Sequence, residues 1–302
     1  MSIITITRGS YSKGEEVAEK VAERLGYRCI SRETLLMASD EFNIPEIEHF
    51  LSFEKSPSDL EVTSSQKERY LAYVQLVLLR DYQQDNVVHH GVAGHFFVRG
   101  IEHGLKVLVI EDIEDRMRIC MQREGLSGKD ALISLKRSDE PIIEWGRHLY
   151  GVHPWDSKLY DLVIRTKQIP VDFAVDMICR TVELESFHTT PESQKTADDL
   201  LLSAGAKWAL IDLNPLAEVF SDDGSVTVKI VIETASSESQ EERDKLMVQI
   251  EKIVKEIPGV KDVKIDAILY PIGEVWPHVF SGFRWFGQPS NSDQIGTNCQ
   301  LG

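Results

Sequence analysis

Apolar positions in the first half of the chain come in two rhythms. Short runs of β-branched and aliphatic residues, "IITIT" (3–7), "NVVHH" (86–90), "KVLVIE" (106–111) and "DLVIRT" (161–166), with a shorter one at "YRCI" (27–30), predict strands buried on both faces. Between them the spacing turns helical, over 15–25, 32–42, 64–82, 113–124, 128–149 and 171–184. This alternation predicts an α/β fold with a parallel sheet and helices on both faces. After residue 185 the rhythm changes. "HTTPESQKTADD" (188–199) is polar, carries a proline and lacks periodicity, so a linker is expected within 186–199. Beyond it "GSVTVKIVIET" (224–234) alternates like a half-exposed strand, a charged amphipathic helix follows over 238–257, and "KDVKIDAIL" (261–269) is a further strand. That order predicts a second, small α/β sandwich over 200–270. The tail 271–302 is rich in aromatics, Gly and Pro ("VWPHVFSGFRWFG") and carries no predicted element.

The first strand candidate runs into "RGSYSKGEE", and a helix begins there. A phosphate-binding loop works because glycines let backbone N–H groups converge on phosphate oxygens at a helix N-terminus. A lysine then reaches the terminal phosphates and a Ser/Thr hydroxyl ligates magnesium. Gly9 and Gly14 have the spacing of the two glycines in GxxxxGK[ST], but Glu15 and Glu16 stand where Lys and Ser/Thr belong. Lys13 and Ser12 lie just before the second glycine instead. Two carboxylates in the first helical turn also suit the helix dipole on their own, so a plain strand-to-helix turn explains part of the pattern.

The formal net charge of −16 excludes a broad nucleic-acid or anionic-membrane surface, while leaving room for a local Arg/Lys cluster that holds a small anion. Cys29, Cys120, Cys179 and Cys299 are scattered and form no CxxC pair, which suggests neither a zinc site nor a disulfide framework. No secretory pattern opens the chain and no apolar run approaches membrane-spanning length, so a reducing cytoplasm is the expectation.

Four stretches carry a resemblance: "IITITRGSYSKGEEVAEKVAERLGYRCISRETL", "VVHHGVAGHFFVRGIEHGLKVLVI", "DRMRICMQREGLSGKDALISLKRSDE" and "WGRHLYGVHPWDSKLYDLVIRT". Together they resemble the cytidylate kinase-like family of P-loop nucleoside monophosphate kinase relatives over nearly all of 1–185. The resemblance implies a doubly wound P-loop sheet, an ATP site on the first loop and an arginine-bearing lid near 112–150. The family's loop reads like SR-x-x-GSGGRE; Arg8, Ser12, Gly14 and Glu16 match it, whereas Tyr11 and Lys13 replace glycines. Its "YDRE" segment corresponds to "CISRE", where Arg32 and Glu33 persist.

Phosphoryl transfer needs positive charge on the moving group more than covalent chemistry. The lid candidates are Arg116, Arg118, Arg123, Arg137 and Arg147, with Arg116 and Arg123 on one helix face and Arg116, Arg123 and Arg147 favoured; Glu114, Asp115 and Glu124 nearby also fit ordinary ion pairing. With Lys13 these form the expected catalytic set. Arg8, Gly9, Ser10, Ser12, Lys13 and Gly14 are the expected phosphate cradle. Arg32, His90 and Gly91 are expected on the acceptor side, because strand ends are where open α/β sheets bind ligands. His90 and His95, with His148 or His153, lack the tight spacing of helical metal sites, and no resident metal is expected beyond Mg2+ accompanying ATP.

Residues 210–268, most of all "IPGVKDVKID", resemble the small α/β domain of iron–sulfur assembly and carrier proteins, and the "PGVKDV" turn resembles the BON module. In the former family a cysteine follows the strand that ends near Thr234; here "ASSESQEE" follows and cluster transfer is not implied. A binding or self-association module over 200–302 is the expectation. Two functions remain open: a kinase moving the ATP γ-phosphate to a CMP-like acceptor, or a nucleotide sensor or scaffold with a decayed loop that works through its C-terminal domain.

Overall fold

The structure is a computed structural model that describes residues 2–42, 64–91, 94–234 and 240–271. Strands β1 (Ile3–Arg8), β2 (Arg28–Ile30), β3 (Val87–Gly91), β4 (Gly104–Ile110) and β5 (Leu162–Arg165) form one sheet in the order β2-β3-β1-β4-β5. Every ladder in it is parallel, with Ile3 beside Val87 on one side and Gly104 on the other. β1 is central and buried on both faces: Ile3, Ile4 and Ile6 enter the two cores, and the β-branched Thr5 and Thr7 between them are buried as well.

Helices cover both faces, as expected. On one, α1 (Gly14–Leu25) and α7 (Val171–Val182) pack Val17, Ala18 and Val21 with Val175, Ile178 and Val182 onto Ile4, Ile6 and Val107. On the other, α3 (Ser64–Gln83) lays Tyr73, Leu78, Leu79 and Tyr82 over Ile3, Val87 and Ile101. The remaining helices of this unit are α2 (Arg32–Phe42), the single turn α4 (Gly94–Phe97), α5 (Ile113–Glu124) and α6 (Gly128–Tyr150). The chain is therefore a doubly wound parallel α/β sheet, with a second, three-stranded unit behind it.

The expected linker is not one. Residues Pro191–Ala209 form α8, a helix of 19 residues that packs along α3. Its polar start is a capping box: Thr190 accepts from Ser193 N–H, Ser193 accepts from Thr190 N–H, and Pro191 fills the first turn. Against α3 it sets the small Ala197 and Ala204 beside partly buried Leu200, Leu201 and Trp208, with Trp208 6.3 Å from the Tyr73 ring. A buried network pins this cap to the sheet: His103 lies 2.7 Å from Ser193 Oγ through Nδ1 and 3.2 Å from Asp85 through Nε2, and Thr189 donates to Asp85 at 2.7 Å. Asp, His and Ser stand in the order of a hydrolytic triad, but His103 is wholly buried and the serine oxygen is committed to the cap, so the array holds structure.

α8 also belongs to the second core. Ala206 and Leu210 join Val219, Val226, Val228 and Ile230 from β6 (Glu218–Asp222) and β7 (Ser225–Thr234). Ile250 and Val254 come from α9 (Gln240–Lys255), and β8 (Asp262–Pro271) completes a sheet ordered β6-β7-β8. β6 and β7 pair antiparallel through a two-residue turn, Asp223 at φ 49° and Gly224 at φ 80°, the left-handed pair that matches strand twist. β7 and β8 run parallel. Lys207 of α8 closes the joint, its Nζ donating to the carbonyls of Pro215 (2.6 Å) and Ala217 (2.7 Å) and lying 3.4 Å from Glu68 of α3. Arg69 pairs with Asp212 and sits 5.3 Å above the Trp208 ring. The segment after Thr234, the tail from 272 and Cys299 lie outside the described residues; among those described, no helix is long and apolar enough to cross a membrane.

Candidate phosphate-binding site

The carboxyl edge of the sheet brings together the loop candidates, with Arg116, His90 and Gly91 beside them. β1 delivers Arg8, α1 begins at Gly14, and residues 9–13 form the loop between. Close approach explains both glycines: a Cβ at Gly9 would stand 2.9 Å from Arg116 Cζ, and one at Gly14 would stand 2.6 Å from Arg8 Cβ. Lys13 occupies the N-cap of α1, and Gly14 N–H donates to Ser12 Oγ at 3.3 Å.

Tyr11, which replaces a small residue in the pattern, takes φ 54° and so lies in the left-handed region that side chains usually avoid. Its ring packs with Cys120, Ala131 and Leu135 between α5 and α6, and its hydroxyl donates to Glu124 at 3.3 Å. Burial and Glu124 push the phenol's pKa up. The loop tip is thus plugged into the helical pair where a lid was expected.

Arg116 is the candidate arginine that reaches the loop directly. Nε donates to Ser10 O at 2.7 Å, while Nη1 and Nη2 donate to the two oxygens of Asp139 on α6 at 2.8 and 2.7 Å. The edge of its fork that faces α6 is held by Asp139 in a bidentate pair. Arg123 is exposed at the end of α5; its charge adds to the lowering of the Arg8 pKa, which burial dominates, and offsets part of the rise at Tyr11. Arg118 pairs with Asp115. Arg137 and Arg147 are exposed, and Arg147 makes no hydrogen bond or ion pair with the loop among the described residues.

On the acceptor side, Arg8 Nε donates to His90 Nδ1 at 3.4 Å and its Nη2 lies 3.5 Å from Glu15. Burial, then the Arg8 charge, lowers the His90 pKa, so its imidazole is neutral with the proton on Nε2. Gly91 ends β3 at φ 131° and Arg32 opens α2 at the same edge. His95 is turned elsewhere, 3.0 Å from Thr7 Oγ1 and against Tyr160, while His89 lies 2.6 Å from the Tyr82 hydroxyl. Burial drives both of these histidines down to a pKa of about 3.

Two residues at the site escaped the sequence reading. Asp139 is one. Glu111 is the other: it follows the last residue of β4, the strand beside β1, and accepts the Lys13 N–H at 2.7 Å while its second oxygen lies 3.5 Å from Lys13 Nζ. The available signal was an acid ending an aliphatic strand at the carboxyl edge, next to the loop's own strand.

A loop from the central strand into a helix N-terminus, lined by Arg8 and Lys13 and roofed by an arginine-bearing helical pair, gives this chain the layout of a nucleotide-kinase-like α/β protein. Residues 3–168 match the cytidylate kinase-like family, and the chain belongs to that family. A cytidylate kinase of Methanopyrus kandleri is 22% identical over 174 residues, spanning 55% of this chain and 85% of its own length. Among solved structures, a protein from Eubacterium ventriosum ATCC 27560 is 21% identical with a TM-score of 0.47, covering 60% of this chain and 98% of its own. A shikimate kinase from Bacteroides thetaiotaomicron is 14% identical with a TM-score of 0.36, covering 61% and 99%.

Proposed function

We propose that the chain binds a nucleotide through the β1–α1 loop, as a protein of the nucleoside monophosphate kinase type whose phosphoryl transfer is slow or absent. The supporting observation is the anion-seeking character of Lys13: its N–H at the α1 N-cap and its ammonium both turn toward one carboxylate, that of Glu111. Ser12, Lys13 and Gly14, flanked by Arg8, Gly9 and Ser10, form the cradle. Arg116, Arg123 and Arg147 supply lid charge, and Arg32, His90 and Gly91 are assigned to the acceptor, a CMP-like monophosphate. Magnesium carried with ATP supplies neutralising charge to the phosphates. The hydroxyls of Ser10 and Ser12 are the hard oxygen donors that fit it, since the standard Ser/Thr position is held by exposed Glu16. Slow turnover follows from the loop chemistry, because fast transfer asks for a lysine on the terminal phosphates and a hydroxyl on the metal.

The second reading, a nucleotide sensor or scaffold acting through residues 200–302 in the cytoplasm, is favoured by the engagement of Arg116 with Asp139 and the Ser10 carbonyl rather than with open space over the loop. Calorimetric titration with ATP, ADP and CMP, paired with an ADP-release assay on several monophosphates, separates the two. Turnover within about 1–100 per second, the ordinary kinase range, that is lost in Lys13→Ala would refute slow transfer. An absence of any nucleotide binding at millimolar concentration would remove the leading reading.

A further inference from the structure

The Glu111 side chain is wholly shielded from solvent, yet it sits at the loop rather than in an apolar cluster. An ionised carboxylate in that position needs compensation. What it has is the Lys13 N–H on one oxygen and the Lys13 ammonium, 3.5 Å away, on the other; that second oxygen makes no hydrogen bond among the described residues. Both positively polarised groups that Lys13 offers to an anion are therefore already engaged by an acid of the same chain.

We propose that Glu111 is an internal occupant of the loop's anion site, and that a nucleotide phosphate enters only by displacing it. The proposal rests on reading the loop as a nucleotide site. A phosphate and a buried carboxylate cannot share one N–H and one ammonium, because like charges a few ångströms apart in a shielded site repel strongly. Displacement is feasible because the carboxylate is only half satisfied: it gives up one charge-assisted hydrogen bond and one long ion pair, and it regains water. The other ties work in the same direction. Arg116 is held off by Asp139 and the Ser10 carbonyl, and Tyr11 fixes the loop tip between α5 and α6. Glu111 thus sets the affinity of the site, holding it low in the unmodified chain.

The test compares the full chain with Glu111→Gln, which removes the charge and keeps an oxygen for Lys13, and with Glu111→Ala. ATP with excess magnesium, and separately inorganic phosphate, are titrated by calorimetry. The expected result is affinity at least tenfold higher for both ligands in Glu111→Gln. Equal affinity in wild type and variant overturns the internal occupant while leaving the nucleotide site standing, and weaker binding in the variant overturns it too. Absence of binding in wild type and variants alike removes the loop reading and this proposal together. Should the alanine variant fail to fold, selective 15N-lysine spectra of the wild type decide. The Lys13 amide is expected far downfield in the free protein and to move upfield with ATP and in Glu111→Gln. An amide unmoved by saturating ATP means that Glu111 stays in place, and the proposal is wrong.

Discussion

Asp139→Ala offers a quantitative test of the clamp that joins loop to helical pair. The substitution leaves Arg116, whose side chain is 9% exposed, without the acceptor for two Nη hydrogen bonds, and Asp139 itself is only 14% exposed, so solvent screens little of the loss. Each charge-assisted bond contributes about 1.5–3 kcal/mol. Part is recovered because the freed guanidinium can turn toward water, and breaking a buried pair on one side costs roughly 3–5 kcal/mol at full burial. A net loss of about 2–4 kcal/mol is expected, which for a chain of this size lowers Tm by roughly 3–6 °C. Urea denaturation of wild type, Asp139→Ala, Arg116→Met and the double variant reads the coupling directly. A coupling energy of about 1.5 kcal/mol or more supports the clamp. A loss under about 0.5 kcal/mol in the single variant, with additive effects in the double, would refute the reasoning, since it would mean that the fork is not formed in solution.

Buried His89 and His95 make the fold acid-sensitive. Their folded pKa of about 3 lies below the unfolded 6.5, so the unfolded chain binds the extra protons, and stability is lost as pH falls from 6.5 toward 3. The slope is on the order of 1.4 kcal/mol per pH unit for each histidine. Denaturation midpoints across that range check this, and His89→Gln should flatten the slope; a flat profile in the wild type contradicts it. Lys207→Met should cost about 2–4 kcal/mol, since it strips the donor from two carbonyls and leaves Glu68 buried without its cation. Stability unchanged in that variant would mean that the α3–α8 joint does not depend on the lysine.

Much of the fold was legible because burial writes itself into local pattern. β1 and β4 are rich in β-branched and aliphatic residues and buried along most of their length, as two-sided burial demands, and α1 carries a wide apolar stripe of Val17, Ala18 and Val21. α8 was hidden for a physical reason: its first two turns are polar, with a capping box and a proline that use the residues that also mark loops, and its apolar contacts, Leu200, Leu201 and Trp208, come only later. At the site, the loop residues could be found from glycine spacing, because backbone approach is a local demand. Glu111 and Asp139 could not be found that way. Each acts on a partner about a hundred or more than twenty positions away in sequence, Lys13 and Arg116 respectively, and only the sheet order and the α5–α6 pairing bring them together. Tyr11 showed as a departure from a small residue, but its destination between two helices is a tertiary fact.

The central claim, that this loop binds nucleotide phosphate and that its displaced lysine takes part, is tested most directly by titrating ATP with magnesium into the full chain and into Lys13→Ala. The account predicts weak saturable binding to the wild type, with a Kd of about 0.1–1 mM, corresponding to roughly −5.5 to −4 kcal/mol. It predicts at least a fivefold loss in Lys13→Ala, because the variant keeps the backbone N–H at the N-cap but loses the ammonium that would act on the phosphate. No heat of binding up to several millimolar, or identical affinity in the two proteins, would contradict it.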